Sequence, residues 1–428
     1  MTQADPPTAP TLAPMGFQLR AALALGKLIP LFAPRHLQKR LRKGKELPDR
    51  WREKLGEPTL PRPDGPLIWL HAVGLGETLA LRGLIGALAH RTDAHFLVTS
   101  TTRASAEVFA ANLPPRTQHQ FLPLDAPAYV NRFLDQWKPA LSVWAEQDLW
   151  PGAVVETAKR GIPLALINAR MNADAYARRR RWRGLYGDLL SRFALITAQD
   201  QATARHLTAL GAHGLQVTGS LKAAAPALSV DAAALAAARA MLSGRLPVLL
   251  ASSHPEEEAA LFAALRTNGP RPLVLIAPRD PHRGAELASR AADHGLTATR
   301  RSMGQGPTGD IWPDVWIVDT FGEMGLWYRL CPVTLIGGTF GATEGHNPWE
   351  PAALGSAILH GPRIANFAAD FTALHQAGAA LPVQPEGLLA ALTTDHSAMA
   401  ARAKALSDAA QGALGPLADE LLTLAGLA

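Results

Sequence analysis

Twice along this chain, short apolar runs alternate with stretches that read as helices. The first series has apolar runs at 67–71, 96–100, 140–143, 164–168, 195–197 and 215–217, with helical patterns near 78–88 and 104–111. An Ala-rich helical stretch at 231–241 opens the second, with runs at 248–251, 273–276, 315–318, 333–336 and 357–359. Strands that are apolar at every position are buried on both faces, which requires helices on both sides of a parallel sheet. The expectation is an α/β protein of two Rossmann-like domains, with ligands held at the carboxyl ends of the strands in a crevice between them. A chain of 428 residues is long enough for two such cores. Strand pattern gives way to Ala and Pro between Lys222 and Asp231. This divides the chain into a leading segment, 1–45, a domain at 46–225 and a domain at 226–428 whose last helices can pack back on the first. No short fixed-period repeat is present.

The net charge is +6 and the pI about 9.7. The excess lies in two runs: Lys39, Arg40, Arg42, Lys43, Lys45, Arg50, Arg52 and Lys54, then Arg178 to Arg181 with Arg183. Such runs suit anionic lipid or phosphorylated substrates, although a solvated face accounts for either one alone. Nucleic acid is the weaker partner, because zinc-ligand spacing and an aromatic RNA-binding pattern are both missing. The single cysteine, Cys331, excludes an internal disulfide and a Cys-based zinc site. Residues 1–14 are rich in Pro, Thr and Ala and read as disordered. The apolar stretch at 17–32 is interrupted by Arg20, Lys27 and Pro30. It falls short of the roughly 20 apolar residues of a membrane-spanning helix, and it lacks the marks of a signal peptide. With Arg20 and Lys27 on one helical face and the basic run behind it, it reads as an interfacial amphipathic anchor. An ordinary surface helix is the alternative.

The candidate site residues sit at strand ends. After the run at 333–336 comes Gly337-Gly338-Thr339-Phe340-Gly341-Ala342-Thr343-Glu344-Gly345-His346-Asn347-Pro348-Trp349-Glu350-Pro351. Glycines allow close backbone approach and positive φ. Asn347 as N-cap and Pro348 at the first helical position predict a helix start, and hence an anion site suited to phosphate. Glu350 is placed to grip a ribose diol, while a plain capping box with Asn347 also accounts for it. His71-Ala72-Val73-Gly74-Leu75-Gly76-Glu77 is a strand, a glycine turn and a helix start. Leu79 stands where a dinucleotide fingerprint needs its third glycine, which argues against NAD. Glu77 is either a candidate base or a carboxylate that merely complements the helix dipole. Arg279, Asp319 to Met324, and Glu146 with Asp148 follow three further strands. Arg279 suits forked pairing with phosphate, and the turn at Gly322, Glu323 and Met324 suits a planar base edge. Neither D-x-D nor H-E-x-x-H occurs, so these metal-site patterns lend no support.

Taken together, these motifs resemble the 3-deoxy-D-manno-octulosonic acid (Kdo) transferases of lipid A biosynthesis, which have the GT-B glycosyltransferase fold. The matching pieces are Arg50-Trp51-Arg52-Glu53-Lys54-Leu55-Gly56, the His71 to Glu77 segment, Glu146 with Leu149-Trp150-Pro151, Asn168-Ala169-Arg170, Gly219-Ser220-Leu221-Lys222, Pro278-Arg279, Asp319-Thr320 with Gly322-Glu323, and Gly345-His346-Asn347-Pro348 with Glu350-Pro351. Gly74, Gln147-Asp148, Ser220 and Asp280 depart from the family's usual residues. The resemblance implies inverting transfer of Kdo from CMP-Kdo to a lipid A precursor, without a metal or other cofactor. It gives Glu77 as general base. Arg279, His346, Asn347 and Glu350 become donor-binding residues, with the cytosine read at Gly322, Glu323 and Met324. His71, Gly76, Glu146, Asp148 and Lys222 are placed on the acceptor side or in support. It also implies an anionic membrane surface as partner, at the cytoplasmic face of a Gram-negative inner membrane. A UDP-sugar transferase of the same fold, a non-hydrolysing sugar-nucleotide epimerase and a non-catalytic lipid A-binding module are the alternatives.

Overall fold

The computed structural model describes residues 15–110, 113–146, 148–224, 226–266, 271–307 and 312–428; the expected disordered start at 1–14 and Gln147 lie outside them. The chain forms two compact units, Met1–Ala225 with Ala410–Ala428, and Pro226–Ala409.

The first unit is built on β1 (Leu67–His71), β2 (His95–Ser100), β3 (Thr117–Phe121), β4 (Leu141–Ala145), β5 (Leu164–Ala169), β6 (Leu195–Ala198) and β7 (Leu215–Val217). These make one parallel sheet of order β3-β2-β1-β4-β5-β6-β7. Alternate residues of each strand face opposite ways, and both faces are covered. Leu67 and Trp69 of β1 join Phe133, Trp137 and Trp144 on one side. Trp69 meets Phe133 and Trp144 edge-on, with ring centroids 4.9 and 5.5 Å away. Ile68 and Leu70 join Phe96, Val98 and Leu84 on the other, where Leu414, Leu417 and Leu421 of the final helix complete the layer.

The second unit repeats the plan with β8 (Val248–Ser253), β9 (Val274–Pro278), β10 (Ala298–Arg300), β11 (Val315–Ile317), β12 (Val333–Ile336), β13 (Ala357–His360) and β14 (Ala380–Pro382). Its order is β10-β11-β9-β8-β12-β13-β14, again all parallel. Three strands escape the apolar-run reading: β3, β10 and β14. All three are sheet edges or lie at one, where less apolar surface is needed. β3 reads Thr-Gln-His-Gln-Phe, and some of its polar groups find partners within the fold. His119 Nε2 lies 2.9 Å from the Ser100 hydroxyl, and Gln120 Oε1 accepts the Trp137 indole N–H at 2.9 Å.

The leading segment is not one continuous helix. It is two helices, α1 (Phe17–Gly26) and α2 (Ile29–Arg42), broken at Lys27 and Leu28, with Lys27 as the C-cap of α1 two turns after Arg20. The break falls where Pro30 sits in the first turn of α2, a position that tolerates its missing N–H. Leu19 is buried, and Gln18 accepts the N–H of Leu185 at 3.0 Å. Ala33 and Leu37 of α2 pack with Trp51, Leu55 and Tyr129. Phe17, Leu25, Leu28, Leu31 and Phe32 remain exposed, Phe17 at 83% and Phe32 at 68%. Among the described residues, no helix is long and apolar enough to cross a membrane.

The basic run behind these helices is not one solvated patch. Arg40 and Lys54 converge on the buried carboxylate of Glu46, with Lys54 Nζ at 2.6 Å. Arg50 donates to both oxygens of buried Glu53 at 2.9 and 3.0 Å and to the His119 carbonyl at 2.8 Å. Glu53 also accepts the N–H of Phe121 at 2.7 Å. The Arg50–Lys54 motif thus ties the chain to edge strand β3. Lys39, Arg42, Lys43 and Lys45 are the exposed remainder of the run before Arg50.

Candidate functional site

In a sheet of this order the strand sequence reverses at one point, and the loops leaving the two strands there splay apart to leave room for a ligand. In the second unit that point lies between β8 and β12. Gly337 leaves β12 where a Cβ would sit 2.2 Å from the Ser252 carbonyl oxygen, so only glycine fits. Gly345 has φ +95°, and its N–H returns to the Gly338 carbonyl at 2.8 Å, closing the loop. Around it is a cavity of about 280 Å³ lined by Ser252, Arg279, Tyr328, His346, Asn347 and Glu350 together with Ala251 and Ile336. Four of the residues expected to bind the donor therefore converge: Arg279, His346, Asn347 and Glu350.

The helix that follows corrects the expected start by one residue. It spans Trp349–Ala353, five residues, with Pro348 flanking it. Pro348 takes the N-cap position expected of Asn347, and Asn347, one residue earlier, accepts the N–H of Trp349 at its Oδ1 at 3.1 Å. So short a helix carries little macrodipole, so fixed positive charge at the cavity comes from Arg279. Glu350 accepts from the Asn347 amide at 3.4 Å and from the Tyr328 hydroxyl. Burial pushes the Glu350 carboxyl up, against Asn347, Arg279 and Tyr328. Burial and the same carboxylate push the Tyr328 hydroxyl up.

The turn at Gly322, Glu323 and Met324 does not line the cavity directly. Gly322 has φ +82°, which explains glycine there. The Glu323 carboxylate is engaged by Arg301 at 2.9 Å and by the Thr320 hydroxyl. Burial opposes its ionisation, but these two partners hold it below the usual carboxylate range. Glu323 therefore shapes the turn, and the helix Met324–Leu330 that follows carries Tyr328 to the cavity.

His254 was not a sequence candidate. It follows β8, as Arg279 follows β9, and that placement is the signal that would have found it. Its Nε2 lies 2.8 Å from Nε2 of His346, with the rings nearly parallel at 14°. Burial, the His254 ring and Arg279 hold His346 down to about 4.

In the first unit the reversal lies between β1 and β4. Glu77 stands in the first turn of the helix Leu75–Ala89, just after Gly76, and its Oε2 accepts the N–H groups of Val73 and Gly74, each at 3.1 Å. Glu146 leaves β4 in the left-handed region, φ +67°. Burial and the neighbouring Glu77, to which it is hydrogen-bonded, push Glu146 up to about 7, against Lys222 with Nζ at 3.5 Å. Burial and Glu77 also raise Asp148, which Arg179 approaches at 3.9 Å. Glu77, Glu146, Asp148 and Lys222 thus gather in one place. Asn168, at φ +53°, accepts the N–H of Leu221 at 2.9 Å and so seats the loop that carries Lys222. His71 is buried, bonded to the Thr99 hydroxyl at 2.9 Å and packed edge-on against Trp144. Burial holds it down to about 3, so it serves as a neutral supporting group rather than a cation.

Residues 49–225 match the family described as 3-deoxy-D-manno-octulosonic-acid transferase (kdotransferase). The chain is 34% identical over 362 residues to the 3-deoxy-D-manno-octulosonic acid transferase of Bordetella pertussis, covering 82% of this chain and 84% of that one. It is 33% identical over 300 residues to the Rickettsia felis protein of the same name, covering 69% of this chain and 64% of that one, somewhat under two thirds of its length. Among solved structures, UDP-GlcNAc 2-epimerase from Neisseria meningitidis, bound to UDP-GlcNAc, superposes with a TM-score of 0.57 at 12% identity, over 84% of this chain and 100% of that one. At that identity the likeness is one of fold alone. The two seven-stranded parallel sheets are those of the GT-B fold, and the chain belongs to the 3-deoxy-D-manno-octulosonic-acid transferase family of glycosyltransferases.

Proposed function

We propose that this chain transfers Kdo from CMP-Kdo to a lipid A precursor in lipopolysaccharide biosynthesis, with inversion at the anomeric carbon. The observation that carries the reading is the convergence of Arg279, His346, Asn347 and Glu350 on one cavity at the strand reversal of the second unit, in a member of this family. Arg279 pairs with the donor phosphate, and Glu350 takes the ribose hydroxyls. Glu77 accepts the proton of the acceptor hydroxyl as the new bond forms, and Lys222 and Glu146 support the carboxylate cluster around it. The charge growing on the leaving phosphate is assigned to Arg279 and its neighbours rather than to a metal, so turnover survives chelation with EDTA.

The acceptor is a lipid, and the exposed apolar residues of α1 and α2 suit the surface of a bilayer. Lys39, Arg42 and Lys43 add attraction to anionic headgroups. This reading places the enzyme peripherally on the cytoplasmic face of a Gram-negative inner membrane. The deciding experiment is incubation of the full chain with CMP-Kdo and a lipid A precursor, followed by mass spectrometry of the lipid. Addition of the mass of Kdo supports the reading. No addition from CMP-Kdo, with transfer from a UDP-sugar instead, replaces it.

A further inference from the structure

His254 and His346 meet Nε2 to Nε2 at 2.8 Å, and His346 lines the cavity. A hydrogen bond between two imidazole nitrogens holds one proton, so one ring donates and the other accepts. Either the pair is neutral or a second proton makes it a shared cation. The second form is favoured only when an anion arrives beside it.

The surroundings suit a pair that is neutral while the cavity is empty. His254 faces Glu256, Glu258, Arg279 and Arg283, and His346 faces Arg279. Glu258 is already committed: it accepts from the Ser253 hydroxyl at 2.7 Å, Arg283 at 2.9 Å and Arg290 at 2.7 Å. Glu257 accepts the backbone N–H groups of His254 and Gly338, which joins the start of the helix Pro255–Leu265 to the glycine loop. Glu256 is exposed in the first turn of that helix, beside Gly341 of the glycine loop, and favours an imidazolium on His254. Glu350 and Tyr328 are the other titratable groups lining the cavity. Arg279 and Arg283 therefore oppose an imidazolium, Glu256 and Glu258 favour one, and Glu258 is already paired with Arg283 and Arg290. Burial likewise holds both rings below the usual histidine range.

We propose that His254 and His346 work as one proton-accepting pair that takes up a proton when the phosphate of the donor nucleotide enters the cavity, with His254 positioning and charging His346. The proposal rests on the donor-site reading above and adds to it a charge that the empty site does not carry. During transfer the acceptor oxygen bonds to the anomeric carbon, and its proton passes to Glu77. The bond from that carbon to the phosphate oxygen breaks, and the electron pair stays on the phosphate. A phosphodiester with one negative charge thus becomes a phosphomonoester that carries close to two. The proton held by the pair comes from solvent on binding and returns to solvent on release, so it offsets that second charge without being consumed.

The test uses the full chain and isothermal titration in two buffers of different ionisation heat, at pH about 7.5, where a phosphomonoester is nearly all dianion. CMP binding is expected to take up close to one proton, and cytidine binding none. In His254→Gln the uptake disappears, CMP binds roughly tenfold more weakly, and the tightening of CMP binding toward lower pH seen in the parent is lost. His346→Gln should do the same. Uptake that is unchanged in His254→Gln, or equal for cytidine, overturns the proposal, as does CMP binding by the parent without uptake. A folded parent that binds no CMP overturns the donor-site reading along with it.

Discussion

Glu77 spends one carboxylate oxygen on the N–H groups of Val73 and Gly74, so it is both a helix cap and the candidate base. Substitution by Gln separates the two, since an amide oxygen still accepts those bonds but takes up no proton. Glu77→Gln is therefore expected to fold and bind CMP normally while transfer slows by ~10²–10⁴-fold, measured as single-turnover formation of the Kdo-lipid. A variant near the parent rate would leave Glu77 as a capping carboxylate and pass the role to Glu146 or Asp148. At the donor cavity, Arg279→Ala and Glu350→Ala each remove a charged hydrogen-bonding group. Such losses cost ~1.5–3 kcal/mol, roughly tenfold to a hundredfold in affinity. Calorimetry with CMP checks this, and parent-like affinity in both variants would remove these residues from the donor site.

Among the elements, α1 and α2 each have a packed and an exposed side. One side is packed, through Leu19, Ala33 and Leu37, and the other leaves Phe17, Leu25, Leu28, Leu31 and Phe32 exposed. Because Arg40 is held by Glu46, its charge is already partly neutralised within the fold. Replacing Lys39, Arg42 and Lys43 with Gln should thus weaken binding to anionic vesicles, by ~1 kcal/mol per charge at moderate salt, and Arg40→Gln should cost stability instead. Co-sedimentation with vesicles and a thermal melt measure the two effects. Retention of the triple variant at the parent level would assign the anchor to another surface. The Trp349–Ala353 helix shows what local signals can and cannot tell. That a helix starts near Asn347 was readable from residue type, whereas its N-cap at Pro348 and its five-residue length were not. The helix ends where Gly355, at φ +78°, reverses the chain and the Ser356 N–H returns to the Pro351 carbonyl at 3.0 Å, ahead of β13.

For the molecule as a whole, buried histidines and buried acids pull stability in opposite directions with pH. Burial holds His71 and His119 down to about 3. Below the ordinary value of about 6.5 the unfolded chain binds protons that these folded rings refuse, so their contribution to stability falls as pH drops from there toward 3. Glu146 and Glu257, pushed up to about 7 mainly by burial, act the other way. Their contribution is present below the unfolded carboxylate value and is lost as pH rises through about 7. His119→Gln isolates one histidine from this balance. Its stability relative to the parent should improve by about 1–2 kcal/mol between pH about 6.5 and pH about 5, read from urea midpoints at the two pH values. A difference that does not move with pH would mean that His119 is protonated within the fold.

The residues alone determined the class of fold, the two-part plan and most of the donor cavity. Each rests on local physics: fully apolar runs demand a parallel sheet covered on both faces, and glycine, Asn and Pro mark loops whatever surrounds them. Tertiary structure decided what depends on pairs distant along the chain. His254 and His346 are 92 residues apart and meet only because β8 and β12 are neighbours. Lys54, Arg40 and Arg50 look like free cations in the sequence, and buried Glu46 and Glu53 claim them in the fold. The edge strands β3, β10 and β14 carry too little apolar signal to be seen until their neighbours supply the hydrogen bonds. Glu146 is pushed up only when burial and the neighbouring Glu77 act on it, against Lys222. Desolvation has no counterpart in a linear sequence; it arises when the other parts of the chain close over the group.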